Sequence, residues 1–328
     1  MKLPRTLIAL LMLVLLAGAL SACGSDDEEA QPSGDATATP KADSGAIQRN
    51  EANAKVSLTI GSKNFTEQKV LGEIYAQGLE AAGYTVDTDL NLGDEQTALK
   101  AVKGGDIDAY PEYTGTALLS FFGKQADALP SDPQEAYEEA RAGFEADGLV
   151  AFPPTPFTSS NEVAVTQETA DKLSLKTISD LKGKEGDLTL YGSPECRQRL
   201  DCLLGLKQVY GLKFGKFTPV DIAQRHEVLT SGRADVSIVF TTDPQIQREG
   251  EVLLEDDMGM FPPYNSTLVT RQEVADEAGP DLEKTIELLQ KELTDENMQE
   301  LNARVDLDKE EPGAVAKAYL VETGLIKE

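Results

Sequence analysis

The sequence predicts an α/β fold of two similar lobes, and three observations carry that expectation. From Val56 onward, strand-like and helix-like stretches alternate. A comparable alternation returns after residue 185. The chain of 328 residues, 40% hydrophobic and 27% charged, holds enough apolar residue for about two modest cores.

The first lobe opens with "VSLTIGS" (56–62), whose apolar residues alternate and end in Gly-Ser, as in a strand running into a loop. "TEQKVLGEIYAQGLEAAGY" (66–84) reads as a helix with apolar residues at Val70, Leu71, Ile74 and Leu79, Thr66 as a cap and Glu67 in the first turn. "TVDTDLNL" (85–92) is the next strand, "DEQTALKAVKGG" (94–105) a helix stopped by Gly104 and Gly105, and "DIDAY" (106–110) a short strand. That order predicts an α/β layer with a mostly parallel sheet.

The second unit reads likewise. "EGDLTLYGSPE" (185–195) is strand and loop, "DCLLGLKQVYGL" (201–212) helix, and "HEVLTSGRADVSIVFTTD" (226–243) helix, glycine, then strand. "LKAVKGGDIDAYPEY" and "VLTSGRADVSIVFTT" share one form: helix end, Gly, Asp, short strand, aromatic residue. Proline clusters at 152–157 ("FPPTPF") and 261–264 ("FPPY") mark irregular crossings. The amphipathic helices of 280–307 return to pack on the first lobe.

The N-terminus reads as a leader. Lys2 and Arg5 precede an apolar run from Leu7 to Leu20, and "LSAC" ends at Cys23. This resembles the lipobox of bacterial lipoproteins, which implies a signal peptide over 1–22 and lipidation of Cys23; the plainer alternative is an ordinary leader cut nearby. Two acyl chains suffice for stable anchoring. Residues 23–54, acidic and rich in Pro, Ser and Ala, read as a flexible tether. The expected location is the extracytoplasmic face of the cell membrane.

A net charge of −27 argues against nucleic acid as a partner. No nucleophile elbow, phosphate loop or His-Glu-x-x-His pair occurs, so an enzyme is not expected. The single histidine, His226, reads as a solvent-facing helix residue. With Cys23 assigned to the leader, Cys196 and Cys202 remain; in an oxidising compartment they favour a small-loop disulfide over a metal site, for which the ligand set is poor. Neither metal nor cofactor is expected.

Loops leaving strands are rich in aromatic residues and carry a few bases: "GSKNFTEQ", "YPEYTGT", "FTSSN", "ECRQRLDC", "FTTD" and "FPPYN". Ring faces attract a quaternary ammonium, and Arg or Lys holds a carboxylate. Here "GSKNFTEQKVLGEIYAQGLEAAGY" with "GDIDAYPEYTGTAL" resembles the substrate-binding proteins of osmoprotectant ABC importers, the glycine betaine/carnitine/choline/proline-betaine family. The similarity continues through "VAVTQETADKLSLKTISDL", "YGLKF", "FTTD" and "LLEDDMGMFPPY", and covers the chain from about Val56 onward.

The resemblance implies a two-lobed periplasmic-binding-protein-like fold of type II, with a ligand cleft between lobes and two crossover hinge strands. It places lobe 1 at 55–157 plus 244–328 and lobe 2 at 158–243. It implies a monomer that captures a small quaternary amine, glycine betaine first, and delivers it to an ABC permease in the membrane. By matching positions, Lys63 and Arg199 would hold the ligand carboxylate. Tyr113, Phe240 and Tyr264 would surround the cation, with Thr116 beside them. Asn161 stands where many relatives have a cage tyrosine, so a less methylated amine, an amino acid or an ectoine-like solute is the alternative; an extracellular enzyme or sensor subunit is more remote. Taken alone, Lys63 reads as a solvated loop base, Arg199 as a surface partner of Asp201 or Glu195, Tyr264 as loop packing and Phe240 as core. Tyr110 is expected to be wall or core.

Overall fold

The structure is a computed structural model and describes residues 46–125 and 128–327. The leader at 1–22, Cys23 and the tether up to residue 45 lie outside the described residues. Residues 46–54, expected to belong to the tether, are part of the folded body. Ile47 is buried, Ala46 and Ile47 hydrogen-bond the carbonyls of Gly324 and Leu325, and the Asn53 amide donates to Ala82 O at 3.0 Å. One apolar side chain and a row of satisfied backbone groups are enough to dock this stretch.

Among the described residues, ten strands form two five-stranded sheets with the same plan. The first sheet comprises β1 (Ser57–Gly61), β2 (Thr85–Asp89), β3 (Ala109–Tyr113), β4 (Leu149–Ala151) and β10 (Ser266–Arg271), in the order β2-β1-β3-β10-β4. The second comprises β5 (Asn161–Thr166), β6 (Thr189–Gly192), β7 (Lys216–Pro219), β8 (Val236–Phe240) and β9 (Glu251–Leu254), in the order β7-β6-β8-β5-β9. In each, three parallel strands are followed by two antiparallel pairings. Four of the five strands in each sheet thus run the same way, as expected, and only β10 and β5, the strands that follow the crossings, are reversed.

The equivalence of the two units reaches single hydrogen bonds. Asp108 Oδ2 accepts from Thr59 N at 2.8 Å, and Asp235 Oδ2 accepts from Thr189 N at 2.8 Å. Asp108, just before β3, thus ties it to β1, and Asp235, just before β8, ties it to β6. The shared Gly-x-x-Asp pattern marks a real structural repeat.

Two departures from expectation are informative. The third strand lies at 109–113 rather than 106–110, with Pro111 inside it. β1 ends at Gly61 and its register with β3 reaches only Ala109, so Pro111 sits where β3 has a neighbour on one side only. The second lobe also does not close at 243: β9 at 251–254 pairs with β5 in the second sheet. The chain recrosses over 255–265, where Thr158 and Asn265 form an antiparallel bridge between the two crossings. The Asn265 amide donates to the carbonyls of Thr155 and Phe157, both at 3.1 Å, which fastens the crossings together.

The helix Thr66–Ala81 packs its apolar face between the first sheet and the C-terminal helices Pro280–Gln290, Asp295–Asp306 and Pro312–Glu322. The other face of that sheet is covered by Glu95–Gly104 and Pro133–Ala146, among whose apolar residues Tyr110 is fully buried. Tyr110 and Tyr113 are three apart, so the pleat sends them to opposite faces of the sheet. Tyr110 is core, as expected. Tyr113 is turned to the opposite side, towards the gap between the lobes.

Candidate functional site

A cavity of about 70 Å³ lies between the lobes, room for on the order of five water-sized groups. The strand ends of both sheets converge on it, as they do in open α/β folds. All seven residues singled out in the sequence line it: Lys63, Tyr113, Thr116, Asn161, Arg199, Phe240 and Tyr264. Each lobe contributes by the same rule. The loop after β1 supplies Lys63 and the equivalent loop after β6 supplies Arg199, while the last residues of β3 and of its counterpart β8 supply the rings of Tyr113 and Phe240.

Phe65 joins the two halves. Its ring centroid lies 6.3 Å from that of Tyr113 and 5.3 Å from that of Phe240. Phe65 and Tyr191, which also line the cavity, were not singled out in the sequence. Phe65 had a signal, since it is the aromatic residue of the loop after β1. Tyr191, inside an apolar strand, reads as core until the strand ends are brought together.

Tyr264 arrives on the second crossing and docks on the Tyr-x-Gly-Thr turn. Thr114 N donates to Asn265 O and Thr114 Oγ1 to Pro263 O, both at 3.0 Å. A Cβ on Gly115 would lie 2.8 Å from the Tyr264 ring and 2.9 Å from Pro263 O, so only glycine allows this approach. Of the plainer readings, Tyr264 as loop packing and Phe240 as core each describe part of what is seen. Both rings pack against the first-lobe cluster while lining the cavity.

The bases are already engaged. Lys63 is buried, pairs with the buried Glu112, and has its ammonium 4.5 Å from the Tyr113 centroid. It is not the solvated loop base that it resembles in isolation. Arg199 donates through Nε to Asp201 at 2.8 Å, through Nη2 to the same carboxylate, and through Nη1 to Glu95 at 3.0 Å. The pairing with Asp201 is the plainer sequence reading, but the pair is interior rather than on the surface. The Glu95 contact crosses from one lobe to the other, because Glu95 opens the helix Glu95–Gly104 of the first lobe.

Burial opposes the charge on Arg199, but Asp201 and Glu95 outweigh it and push the guanidinium well above its ordinary value. Burial would raise Asp201, yet Arg199 holds it below the usual carboxylate range. Glu112 is raised by burial, with Lys63 pulling the other way. Three of the five guanidinium N–H groups and one of three ammonium hydrogens are therefore engaged, which leaves donors on both bases. Glu95, Asp94 and Glu195 also line the cavity, so its lining carries three acids against two bases.

Asn161 begins β5 opposite Phe240, and its amide donates to Asp201 O at 3.1 Å. It lines the cavity and braces the Arg199–Asp201 loop at once. That loop is closed by the Cys196–Cys202 disulfide, with Cα atoms 5.2 Å apart. Joined to each other, the sulfurs are not free as metal ligands, and the metal alternative for these cysteines falls.

His226 is not at the surface. Its ring lies buried between Asp243 and Glu251, with Nε2 2.9 Å from Asp243 and Nδ1 2.9 Å from Glu251. Asp243 in turn accepts from Phe240 N at 2.8 Å and pairs with Arg225, whose guanidinium carbon is 4.9 Å from the Phe240 centroid. This cluster supports Phe240 from behind.

Comparison with known proteins matches residues 56–322 to the family described as the substrate binding domain of ABC-type glycine betaine transport system. The glycine-betaine-binding protein of Pseudomonas aeruginosa is 32% identical over 283 residues, 82% of this chain and 89% of that protein. The carnitine transport binding protein OpuCC of Listeria monocytogenes is 30% identical over 272 residues, 82% of this chain and 87% of that protein. A crystal structure of a glycine betaine/carnitine/choline ABC transporter protein superposes with a TM-score of 0.64 at 28% identity, covering 81% of this chain and 99% of that one.

Proposed function

Because the chain belongs to the substrate-binding family of ABC-type glycine betaine transport systems, we propose that it captures a quaternary-amine solute, glycine betaine first, and presents it to an ABC permease. The observation that carries the reading is the convergence of Phe65, Tyr113, Phe240 and Tyr264 on one small cavity between the lobes. A trimethylammonium cannot donate hydrogen bonds, so ring faces are its natural partners, at about 0.5–2 kcal/mol for each well-placed ring. The free N–H groups of Lys63 and Arg199 are the donors for a ligand carboxylate, and Thr116 stands beside them. Lobe closure over the ligand excludes water and strengthens each of these contacts. The lobe that carries Arg199 is taken to run through β9.

A second reading is favoured by one observation: Arg199 lies between two carboxylates, Asp201 and Glu95. That arrangement disfavours a ligand carboxylate and favours a cation without one, such as choline. An amino acid or ectoine-like solute is the remaining alternative, resting on Asn161, whose amide nitrogen is already engaged with Asp201 O.

The leader at 1–22 and a diacylated Cys23 would hold the protein at the outer face of the membrane as a monomer. Labelling with a fatty-acid analogue that is lost in Cys23→Ser tests the anchor. Calorimetry with glycine betaine, choline, carnitine, proline betaine, proline and ectoine tests the ligand. Binding of a quaternary amine, abolished in Tyr113→Ala, is expected. Silence to all quaternary amines at millimolar concentration would sink the proposal.

A further inference from the structure

Both tyrosines contributed by the first sheet and the second crossing give their phenolic hydrogen bond to a buried carboxylate. Tyr113 Oη donates to Glu67 Oε1 at 2.6 Å, and Tyr264 Oη to Asp201 Oδ2 at 2.7 Å. Glu67 and Asp201 are interior, at 3% and 0% exposure, and come from opposite lobes. Glu67 sits in the first turn of the helix Thr66–Ala81; Asp201 sits in the disulfide loop. The other groups that hydrogen-bond Glu67 are neutral, the Asn302 amide at 3.0 Å and the Ser159 and Thr242 hydroxyls; burial raises the Glu67 carboxyl, and these hydrogen bonds with that of Tyr113 pull it back towards the ionised form. Asp201 also holds Arg199.

We propose that Glu67 and Asp201 are positioning residues that set how strongly the site prefers a cation over a neutral group of the same shape. This rests on the quaternary-amine reading above. A phenol that donates to a carboxylate is polarised by it, and in a low-dielectric interior such polarisation is strong. Electron density moves towards the ring, whose negative face is what attracts a cation. The carboxylates also add their own field behind the rings. Phe65 and Phe240 have no hydroxyl, so they offer shape and quadrupole alone. The two tyrosines are thus the rings whose affinity for charge is adjustable, and each is adjusted from a different lobe.

A merely structural role for the acids would orient the rings, and would help charged and neutral ligands alike. The test separates the two. Affinities of the detergent-solubilised full chain are measured for choline and for its neutral isostere, in which a tert-butyl group replaces the trimethylammonium. The readout is the ratio of the two. Tyr113→Phe, Tyr264→Phe and Glu67→Gln are each expected to lower the preference for the cation by roughly threefold to tenfold. Tyr75→Phe, which removes a buried hydroxyl bonded to Gln290 in the first-lobe core, should leave the ratio unchanged. Tyr264→Phe reads the Asp201 arm without depriving Arg199 of its partner, and Tyr113→Phe reads the Glu67 arm should Glu67→Gln fold poorly. Equal losses for choline and its isostere would overturn the inference while leaving the quaternary-amine reading intact. Wild-type protein that binds the isostere as well as choline also overturns it, and binding of neither, with betaine silent too, overturns the reading itself.

Discussion

Tyr113 and Phe240 occupy equivalent positions in two separate sheets. Tyr113 is the last residue of β3 and Phe240 the last residue of β8, and the Phe65 ring lies 6.3 and 5.3 Å from theirs. The cavity is therefore built from a repeated unit, with the bases supplied by the loops after β1 and β6. What differs between the halves is how each base is partnered, Lys63 by one acid of its own lobe and Arg199 by one acid from each lobe.

Glu95 reaches Arg199 across the cleft at 3.0 Å and competes with any ligand carboxylate for the guanidinium. Glu95→Gln should tighten glycine betaine relative to choline by roughly threefold to tenfold, since one of two acids flanking the base is removed. Calorimetric titration of both ligands measures the ratio. A uniform change for both would show that Glu95 serves closure alone.

Gly115 lets the second crossing lie against the Tyr-x-Gly-Thr turn. In Gly115→Ala the new methyl falls 2.8 Å from the Tyr264 ring and 2.9 Å from a carbonyl oxygen. Overpacking of this kind costs about 1–3 kcal/mol. Urea denaturation should show that loss, and ligand affinity should fall with it because Tyr264 is displaced. Unchanged affinity would mean that Tyr264 is not a ligand contact.

His226 gives the fold a pH dependence. Burial alone would lower its pKa, but hydrogen bonds to Asp243 and Glu251 outweigh burial and raise it. A histidine with a raised folded-state value contributes fully below its unfolded value of about 6.5, and that contribution fades as pH rises through the folded-state value. Stability measured upward from about pH 6.5 should decline along this course. His226→Gln should flatten that part of the profile, and a slope identical to wild type would refute the assignment.

The Cys196–Cys202 disulfide closes the loop that carries Arg199 and Asp201. For so short a loop the chain-entropy estimate is about 2 kcal/mol. The double variant Cys196→Ser, Cys202→Ser should lose about that much stability and bind ligand more weakly, since Arg199 is then held from one side only. Equal affinity in the oxidised protein and the variant would show that the Asn161–Asp201 contact alone orders the loop.

Much of the site was legible in the sequence because its members sit at strand ends, where turn residues and loop composition stand out. Lys63, Tyr113, Thr116, Asn161, Arg199, Phe240 and Tyr264 were all nameable there, and all line one cavity. Of the partners behind them, only Asp201 is nameable, and then as a surface one. Glu67, Glu95 and Glu112 belong to a chain with 57 acidic residues, where no local pattern distinguishes an interior carboxylate from a surface one. Phe65 is visible only as part of a loop, and His226 reads as exposed because its two carboxylate partners are 17 and 25 residues away.

The sequence by itself determined the repeated α/β units, the aromatic loops and the cysteine pair, since periodicity, turn chemistry and composition are local properties. It also carried the separation of Tyr110 from Tyr113: three residues on a pleated strand put the first into the core and leave the second at the cleft. Only the tertiary structure decided where the second lobe ends, because β9 is claimed by pairing with β5, far away in the chain. Only it decided the charge balance of the cavity as well. The strength of a buried base depends on which acids lie within a few ångströms in a medium that screens poorly, and those neighbours come from both lobes.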